Sequence, residues 1–137
     1  MPDIRTLGLP ITETIESYSD RLQTFLRIAA EPISALRVVR SNTSTSVLLA
    51  RWPEVEARSP LGISVNAAAA FASVRIQHTG EIEDGGWTWT VGAPVFCGVN
   101  GTLTQTMPAS DYALVVGEAV TPTRLVVRIQ GPIFLAP

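Results

Sequence analysis

The sequence contains no lysine, one cysteine and one histidine. A lone cysteine, Cys97, excludes an internal disulfide bond, which fits synthesis in a reducing cytoplasm. The single histidine, His78, lies nineteen positions before Cys97. Structural metal sites use several closely spaced cysteine and histidine ligands, and this pair does not supply them. We therefore expect no metal and no other cofactor.

Charge is also scarce. Charged residues make up 16% of the chain, below the roughly 25% that is typical of globular domains. The net charge is −2, and the ten arginines form no run. Binding to nucleic acid by counterion release needs several clustered cations, so we expect no nucleic-acid partner. The low charge fraction instead favours a surface that packs against neighbouring proteins.

Several classes of function lack their sequence signatures. No nucleophile with a neighbouring base, no carboxylate pair and no phosphate-binding loop is visible, so the sequence predicts that the protein is not an enzyme. No apolar run approaches the ~20 residues of a membrane-spanning helix. The amino terminus shows no secretory signal pattern. We expect no membrane partner.

The remaining sequence is typical of an all-β protein. From Leu36 onward, short runs rich in β-branched residues are bounded by Gly, Pro, Ser or Asn, which predicts strands. We predict an antiparallel β-barrel or sandwich formed by a single β domain over residues 21–137. Residues 1–20, polar and interrupted by Pro10, are predicted to form an extended N-terminal arm. Asn100-Gly101 predicts a tight hairpin.

The segment over residues 12–30 leaves two interpretations open. Apolar residues at three- and four-residue spacing predict a helix there, whereas the alternation of residues 22, 24, 26 and 28 predicts a strand over 22–29. The β pattern that follows favours the strand.

The chain also contains a degenerate internal repeat. The tetrapeptide Val-Arg-Ile-Gln occurs at 74–77 and again at 127–130, and glycines recur in the same order at Gly62 and Gly117. This pattern predicts two duplicated strand modules, over 36–80 and 93–135. The alternative is that both halves share a strand-forming composition without duplication.

Candidate contact residues lie in the arm and in two loops, 52–60 and 81–89. Tryptophan and arginine are enriched at protein interfaces, and an arm that orders on binding covers a large surface. Trp87 and Trp89 point to one side if the run is extended, where they would form a platform for a carbohydrate or a partner; the other interpretation places them in the core. The candidates are Ile4, Leu7, Ile11, Tyr18, Arg51, Trp52, Arg58, Trp87 and Trp89.

Four stretches in the second half of the chain, together with Leu61–Ser64 in the first half, carry a resemblance to a known family. The four are 92–96, 100–106 with Pro108, 116–120 and 132–133. They resemble small virion proteins of tailed bacteriophages, described as capsid cement (head decoration) proteins or as head-fibre and tail-fibre-associated proteins. The resemblance covers about residues 33–135 and is carried by glycine, proline and β-branched residues.

This resemblance implies a non-enzymatic all-β virion protein that decorates and stabilises a phage or phage-like capsid. It also implies a homo-oligomer whose partner is the major capsid protein or a neighbouring virion protein. The expected location is the capsid surface, after synthesis in the cytoplasm of the bacterial host. One alternative is a head-spike or fibre base, or a tail-fibre adaptor. An alternative of another class is a carbohydrate-binding module.

Overall fold

The structure is a computed structural model that describes residues 23–135. Within this range the regular structure consists of twelve short strands and two short 3₁₀ helices, Val55–Arg58 and Val99–Gly101. The strands are β1 Thr24–Ala29, β2 Val38–Ser41, β3 Ser46–Leu49, β4 Gly62–Ser64, β5 Ser73–Gln77, β6 Gly80–Glu83, β7 Pro94–Cys97, β8 Leu103–Thr104, β9 Tyr112–Ala113, β10 Val115–Thr121, β11 Arg124–Val127 and β12 Ile133–Phe134.

The first five strands form a closed barrel in the order β1-β3-β2-β4-β5. All neighbours are antiparallel except β1 and β3, which run parallel and close the barrel at Ile28 and Ala29. Successive side chains of a strand point to opposite faces, so one residue in two enters the barrel. The buried residues of this interior cluster are Ala29, Ile33, Val39, Val47, Val74 and Ile76.

The remaining strands form an open antiparallel sheet and a small β-ladder. The open sheet has the order β6-β11-β10-β7-β8, and β12 pairs with β9 beside it. The prediction of an all-β fold with a barrel is therefore confirmed. The predicted strand over 22–29 is confirmed for Thr24–Ala29, where the helical alternative is wrong. The predicted arm over 1–20 lies outside the described residues.

A second core joins the barrel to the open sheet. Val38 on β2 and Ile63 on β4 are paired neighbours. Both are fully buried, yet each belongs to the core that the open sheet completes rather than to the barrel interior. We call this cluster the shared core. Its buried members are Val38, Ala50, Ala57, Ile63, Ile82, Val95, Cys97, Tyr112, Leu114, Val116, Leu125 and Val127.

The two five-stranded sheets have the same internal order. Starting from the first strand of each, the barrel runs β1-β5-β4-β2-β3 and the open sheet runs β6-β11-β10-β7-β8. The repeated tetrapeptide begins in equivalent strands, β5 and β11, but at different positions along them. Val74 lies within β5 opposite Arg27, whereas Val127 is the last residue of β11, opposite Gly80. Descent of both sheets from one duplicated module stays a prediction.

The repeated glycines do occupy corresponding places. Gly62 lies opposite Val39 on β2, and Gly117 lies opposite Val95 on β7. At each glycine the next strand passes so closely that no side chain fits. A Cβ at Gly62 would lie 2.5 Å from the carbonyl oxygen of Gln77, and one at Gly117 would collide with the carbonyl oxygen of Val126. Glycine permits this close backbone approach.

The structure refines the predicted strand and loop boundaries. The β-branched run that begins at Ser46 forms a strand only as far as Leu49, and the chain turns before Pro53, which has no amide hydrogen to donate to a neighbouring strand. The acidic segment at the start of the predicted loop 81–89 belongs to β6, since the buried Ile82 fixes it beside β11. The predicted hairpin is present between β7 and β8, where Asn100 and Gly101 both have positive φ.

We predict that Gly62→Ala and Gly117→Ala each destabilise the fold by about 1–3 kcal/mol, because the added methyl group must displace a neighbouring backbone. Urea denaturation, monitored by tryptophan fluorescence, measures the loss in free energy of unfolding. Gly131→Ala is the matched control, since nothing lies within 4 Å of its Cβ position. Equal stability of all three variants would show that the strands do not approach as closely as described.

Candidate interaction surfaces

The side of the barrel carrying β1 presents apolar side chains to solvent. Leu26 is 54% exposed and Ile28 is 38% exposed. They share a face with their cross-strand partners on β5, Arg75 opposite Leu26 and Ser73 opposite Ile28. We call these four residues the β1 face. Since Val38 and Ile63 lie under the open sheet, one part of the barrel exterior is covered and the β1 face is not.

Within residues 23–135, one edge of β1 is paired with a strand over only part of its length. The amide of Ile28 donates to the carbonyl of Thr45 at 2.8 Å, and that of Ala30 to Val47 at 2.9 Å. The β1–β3 pairing covers only two positions, Ile28 and Ala29. Among the described residues, no strand lies beside Leu26 on that side. A shallow groove opens here, lined by Leu26, Arg27, Ile28, Ser44, Thr45 and Ser73.

Arginines border this edge without carboxylate partners among the described residues. The Arg75 guanidinium donates to the Thr24 hydroxyl at 2.9 Å. Arg27 lies 4.6 Å over the Phe25 ring and donates to the Leu26 carbonyl. Within residues 23–135 the ion pairs are Glu31–Arg51 and Glu83–Arg124, and neither neutralises this edge.

The same imbalance extends over residues 24–137. Residues 24–77, which include the barrel, contain six arginines and three carboxylates, whereas residues 78–137 contain two arginines and five carboxylates. The barrel half is therefore cationic and the open-sheet half anionic. Such segregation favours association between unlike halves of neighbouring molecules, or with a partner of opposite charge.

A second exposed apolar patch surrounds Arg58. Its guanidinium lies 4.8 Å from the Phe134 ring and 5.3 Å from the Tyr112 ring. Phe134 is 63% exposed and Val55, in the same 3₁₀ helix as Arg58, is 64% exposed. We call Val55, Arg58, Ile133 and Phe134 the C-terminal patch. The predicted contact residue Arg58 is half-buried and contacts both the buried Tyr112 ring and the exposed Phe134 ring.

Arg51, another predicted contact residue, forms an ion pair within the barrel. Its guanidinium binds both oxygens of Glu31, with Nη1 donating to Oε2 at 2.9 Å. Glu31 also accepts the amide of Leu49 at 2.9 Å. The hydrogen bond from Arg51 lowers the pKa of Glu31 below its ordinary value of 4.5. Arg51 remains one-third exposed, and its predicted contact role stays a prediction.

Trp52 links the two halves of the molecule. Its indole Nε1 donates to the Tyr112 carbonyl at 2.7 Å, and the two rings meet edge to face. The Tyr112 hydroxyl donates to the Glu54 carbonyl at 2.6 Å. These hydrogen bonds tie the segment after β3 to β9. The intramolecular role accounts for the position of Trp52, and its predicted contact role stays a prediction.

Trp87 and Trp89 lie together, as the sequence suggested. Their ring centroids are 5.2 Å apart with an interplanar angle of 46°. Both are half-buried and pack against the shared core. The buried Nε1 of Trp89 has no hydrogen-bond partner within residues 23–135. Tilted rings against a core do not form a flat platform for a sugar ring. The arm candidates Ile4, Leu7, Ile11 and Tyr18 lie outside the described residues.

The exposed residues of the β1 face were not among the sequence candidates. A signal was present, because β1 carries apolar residues on both sides. Phe25 and Ala29 pack against the barrel interior, while Leu26 and Ile28 point outward. Alternation normally gives a strand one apolar and one polar face. Two apolar faces on a strand at the barrel surface indicate a second contact.

Cys97 is held in an unreactive state. It is 2% exposed, and its Sγ lies 3.4 Å from the Ala50 carbonyl oxygen. Burial raises the pKa of the thiol from its ordinary 9.0 to about 12. The described residues contain no group of three His, Cys, Asp or Glu side chains able to hold a metal ion. No helix in this part of the chain is long and apolar enough to cross a membrane.

The comparisons with known proteins found similarity to solved structures but not to sequences. No family model matches the sequence, and no curated protein matches it. A similar solved structure is the N base of head fibre gp8.5 in bacteriophage phi29, with a TM-score of 0.49 and 17% sequence identity. The match covers 82% of this chain and 98% of that chain.

We predict that Glu31→Gln destabilises the protein at neutral pH and that this difference narrows in acid. The stabilisation from a carboxylate with a lowered pKa is present above its ordinary value of 4.5 and is lost as the pH falls through the lowered folded value. Urea midpoints of both proteins between pH 3 and pH 7 measure the difference. A difference in urea midpoint that stays constant between pH 3 and pH 7 would contradict a stabilising Glu31–Arg51 ion pair.

We also predict that Cys97 does not react with a thiol reagent at pH 8 in the folded protein and reacts rapidly in denaturant. The buried, protonated thiol lacks both access and the reactive thiolate form. Absorbance of the released aromatic thiol gives both rates. Comparable rates in buffer and in urea would refute the buried position.

Proposed function

We propose that this chain is a non-enzymatic structural protein of a phage or phage-like particle, where it decorates and stabilises the capsid. The observation that carries the proposal is the β1 face. It combines exposed Leu26 and Ile28 with Arg75, which has no carboxylate partner among the described residues. An apolar face beside an arginine without a carboxylate partner is suited to bind a protein surface that is apolar and negatively charged.

The resemblance of 92–96, 100–106 and 116–120 to capsid decoration and fibre-associated proteins supports the phage setting. A decoration protein meets many identical sites on a shell, where several weak contacts sum to firm attachment. Modest patches such as the β1 face suit that mode, because the affinity of a single contact need not be high.

A head-spike or fibre base is the second candidate, and the C-terminal patch favours it. Val55, Arg58 and Phe134 provide an apolar surface separate in sequence from the β1 face. A protein with two such surfaces can bind the shell with one and a further protein with the other. The carbohydrate-binding alternative is less well supported, because Trp87 and Trp89 are half-buried and tilted.

The test is whether the chain belongs to a particle. Particles released by the organism that encodes the chain are purified on a density gradient and probed with an antibody against the chain, followed by immunogold labelling. We expect the chain to sediment with the particles and the label to lie on their heads. Recovery of the chain only in the fractions free of particles would overturn the proposal.

The same particles separate the two candidate roles. A decoration protein labels the whole head surface, whereas a fibre base labels only the points where fibres attach. Phe134→Asp, carried in the full chain, is expected to leave head labelling intact and to remove any fibre that the C-terminal patch holds.

A further inference from the structure

We propose that the β1 face binds the outer face of the open sheet of a second copy of this chain. The contact would join unlike halves of neighbouring molecules, the cationic barrel half of one and the anionic open-sheet half of the next. This inference rests on the proposed function, because it names the partner that covers the β1 face. Since the two surfaces differ, the contact is head-to-tail, and copies would add in a ring or a row.

A row of four side chains crosses the outer face of the open sheet. Val126 on β11 lies opposite both Glu81 on β6 and Glu118 on β10. Glu118 in turn lies opposite Pro94 on β7. Directly opposite residues of paired strands share one face of a sheet, and we call these four residues the outer strip. The other face is buried in the shared core, where the chain neighbours Ile82, Val95, Leu125 and Val127 lie.

The outer strip presents negative charge around an apolar position. Glu81 and Glu118 are exposed and lie on either side of the half-buried Val126. Neither glutamate takes part in the ion pairs found within residues 23–135. Arg128 lines a shallow groove beside Glu118 but forms no ion pair with it. The strip therefore keeps two carboxylates that a partner can neutralise.

The β1 face has the complementary pattern. Leu26 and Ile28 are exposed, and Arg75 lies opposite Leu26 on β5. Arg27 lines the groove that Leu26 and Ile28 form with residues 44–45. Neither arginine takes part in an ion pair within residues 23–135. An apolar surface beside arginines can therefore meet an apolar position beside glutamates, so that opposite charges pair where apolar side chains pack.

The two surfaces do not cover each other within one molecule. Both are exposed there, and the outer strip lies on the side of the open sheet that faces away from the shared core. A second copy supplies the missing partner for each surface. Small contacts of this kind are weak. We therefore expect association that grows with protein concentration and decreases as salt screens the charges.

Charge reversal in two full-length variants tests the pairing. The first variant carries Arg75→Glu, on the β1 face. The second carries Glu81→Arg together with Glu118→Arg, on the outer strip. In an equimolar mixture, each altered surface meets an altered surface of opposite charge on the other variant, and each unaltered surface meets its normal partner. Sedimentation equilibrium at low salt gives the dissociation constants of the wild type, of each variant and of the mixture.

Matched controls make the same changes in charge elsewhere on the molecule. Arg37→Glu reverses an arginine of the barrel half that lines a different cleft, together with Arg51 and Asn100. Glu54→Arg together with Glu56→Arg reverses two exposed glutamates at the first 3₁₀ helix. Since the net charges equal those of the test variants, the controls separate a local contact from general electrostatic attraction. Circular dichroism checks that every variant is folded.

We expect each test variant alone to associate at least about tenfold more weakly than the wild type, because like charges then face each other. The mixture of the two should recover a dissociation constant within about threefold of the wild-type value, because opposite charges pair again. Each control should remain within about threefold of the wild type, because its altered charges lie outside the contact.

Four results would overturn the inference. A wild-type chain that stays monomeric at every concentration would exclude a second copy as the partner. Test variants that associate as the controls do would show that these charges lie outside the contact. Weak association of both variants without recovery in the mixture would show that the two surfaces do not meet. Tighter binding of Arg75→Glu to the wild type than of the wild type to itself would indicate that two β1 faces meet directly.

These results come from the purified chain, so they are separable from a failure to find the chain on particles.

Discussion

The arrangement of this molecule depends on the burial of one side of the barrel exterior. Val38 and Ile63 point away from the barrel interior and would be exposed apolar residues if the barrel stood alone. The open sheet covers both, and Trp52 reinforces the contact through its hydrogen bond to the Tyr112 carbonyl. Since apolar burial is the main favourable term in folding, neither sheet is expected to be stable without the other. The single β domain over residues 21–137 stays a prediction, which this shared burial supports.

This constraint also fixes which surface is free for partners. With β2 and β4 covered, the barrel presents another side, where Leu26 and Ile28 are exposed. The open sheet is anionic and the barrel cationic, so a symmetric assembly that places unlike halves together gains from long-range attraction. The proposed contacts with partners would therefore use a different face of the barrel from the one that the open sheet buries.

The sequence predicted the strands better than their partners. β-Branched runs bounded by glycine and proline located most of the strands, and Asn100-Gly101 located the hairpin between β7 and β8. The sequence did not indicate which apolar residues face the barrel interior. Val38 and Val39 are adjacent and both fully buried, but Val38 lies in the shared core and Val39 in the barrel interior. The contact roles predicted for the arm residues and for Arg58 stay predictions. Trp52, also predicted as a contact residue, forms a hydrogen bond within the molecule. The pattern of apolar residues along a strand indicates that a side chain is buried, but it does not indicate which sheet the side chain packs against.

The central claim is that the β1 face is a surface for contact between molecules, and amide hydrogen exchange across a dilution series tests it most directly. Protection of amides reports local pairing. The account predicts that peptides covering 24–27 exchange more slowly as protein concentration rises, while those covering β10 do not change. Exchange at 24–27 that is independent of concentration, in a sample shown by light scattering to associate, would contradict it.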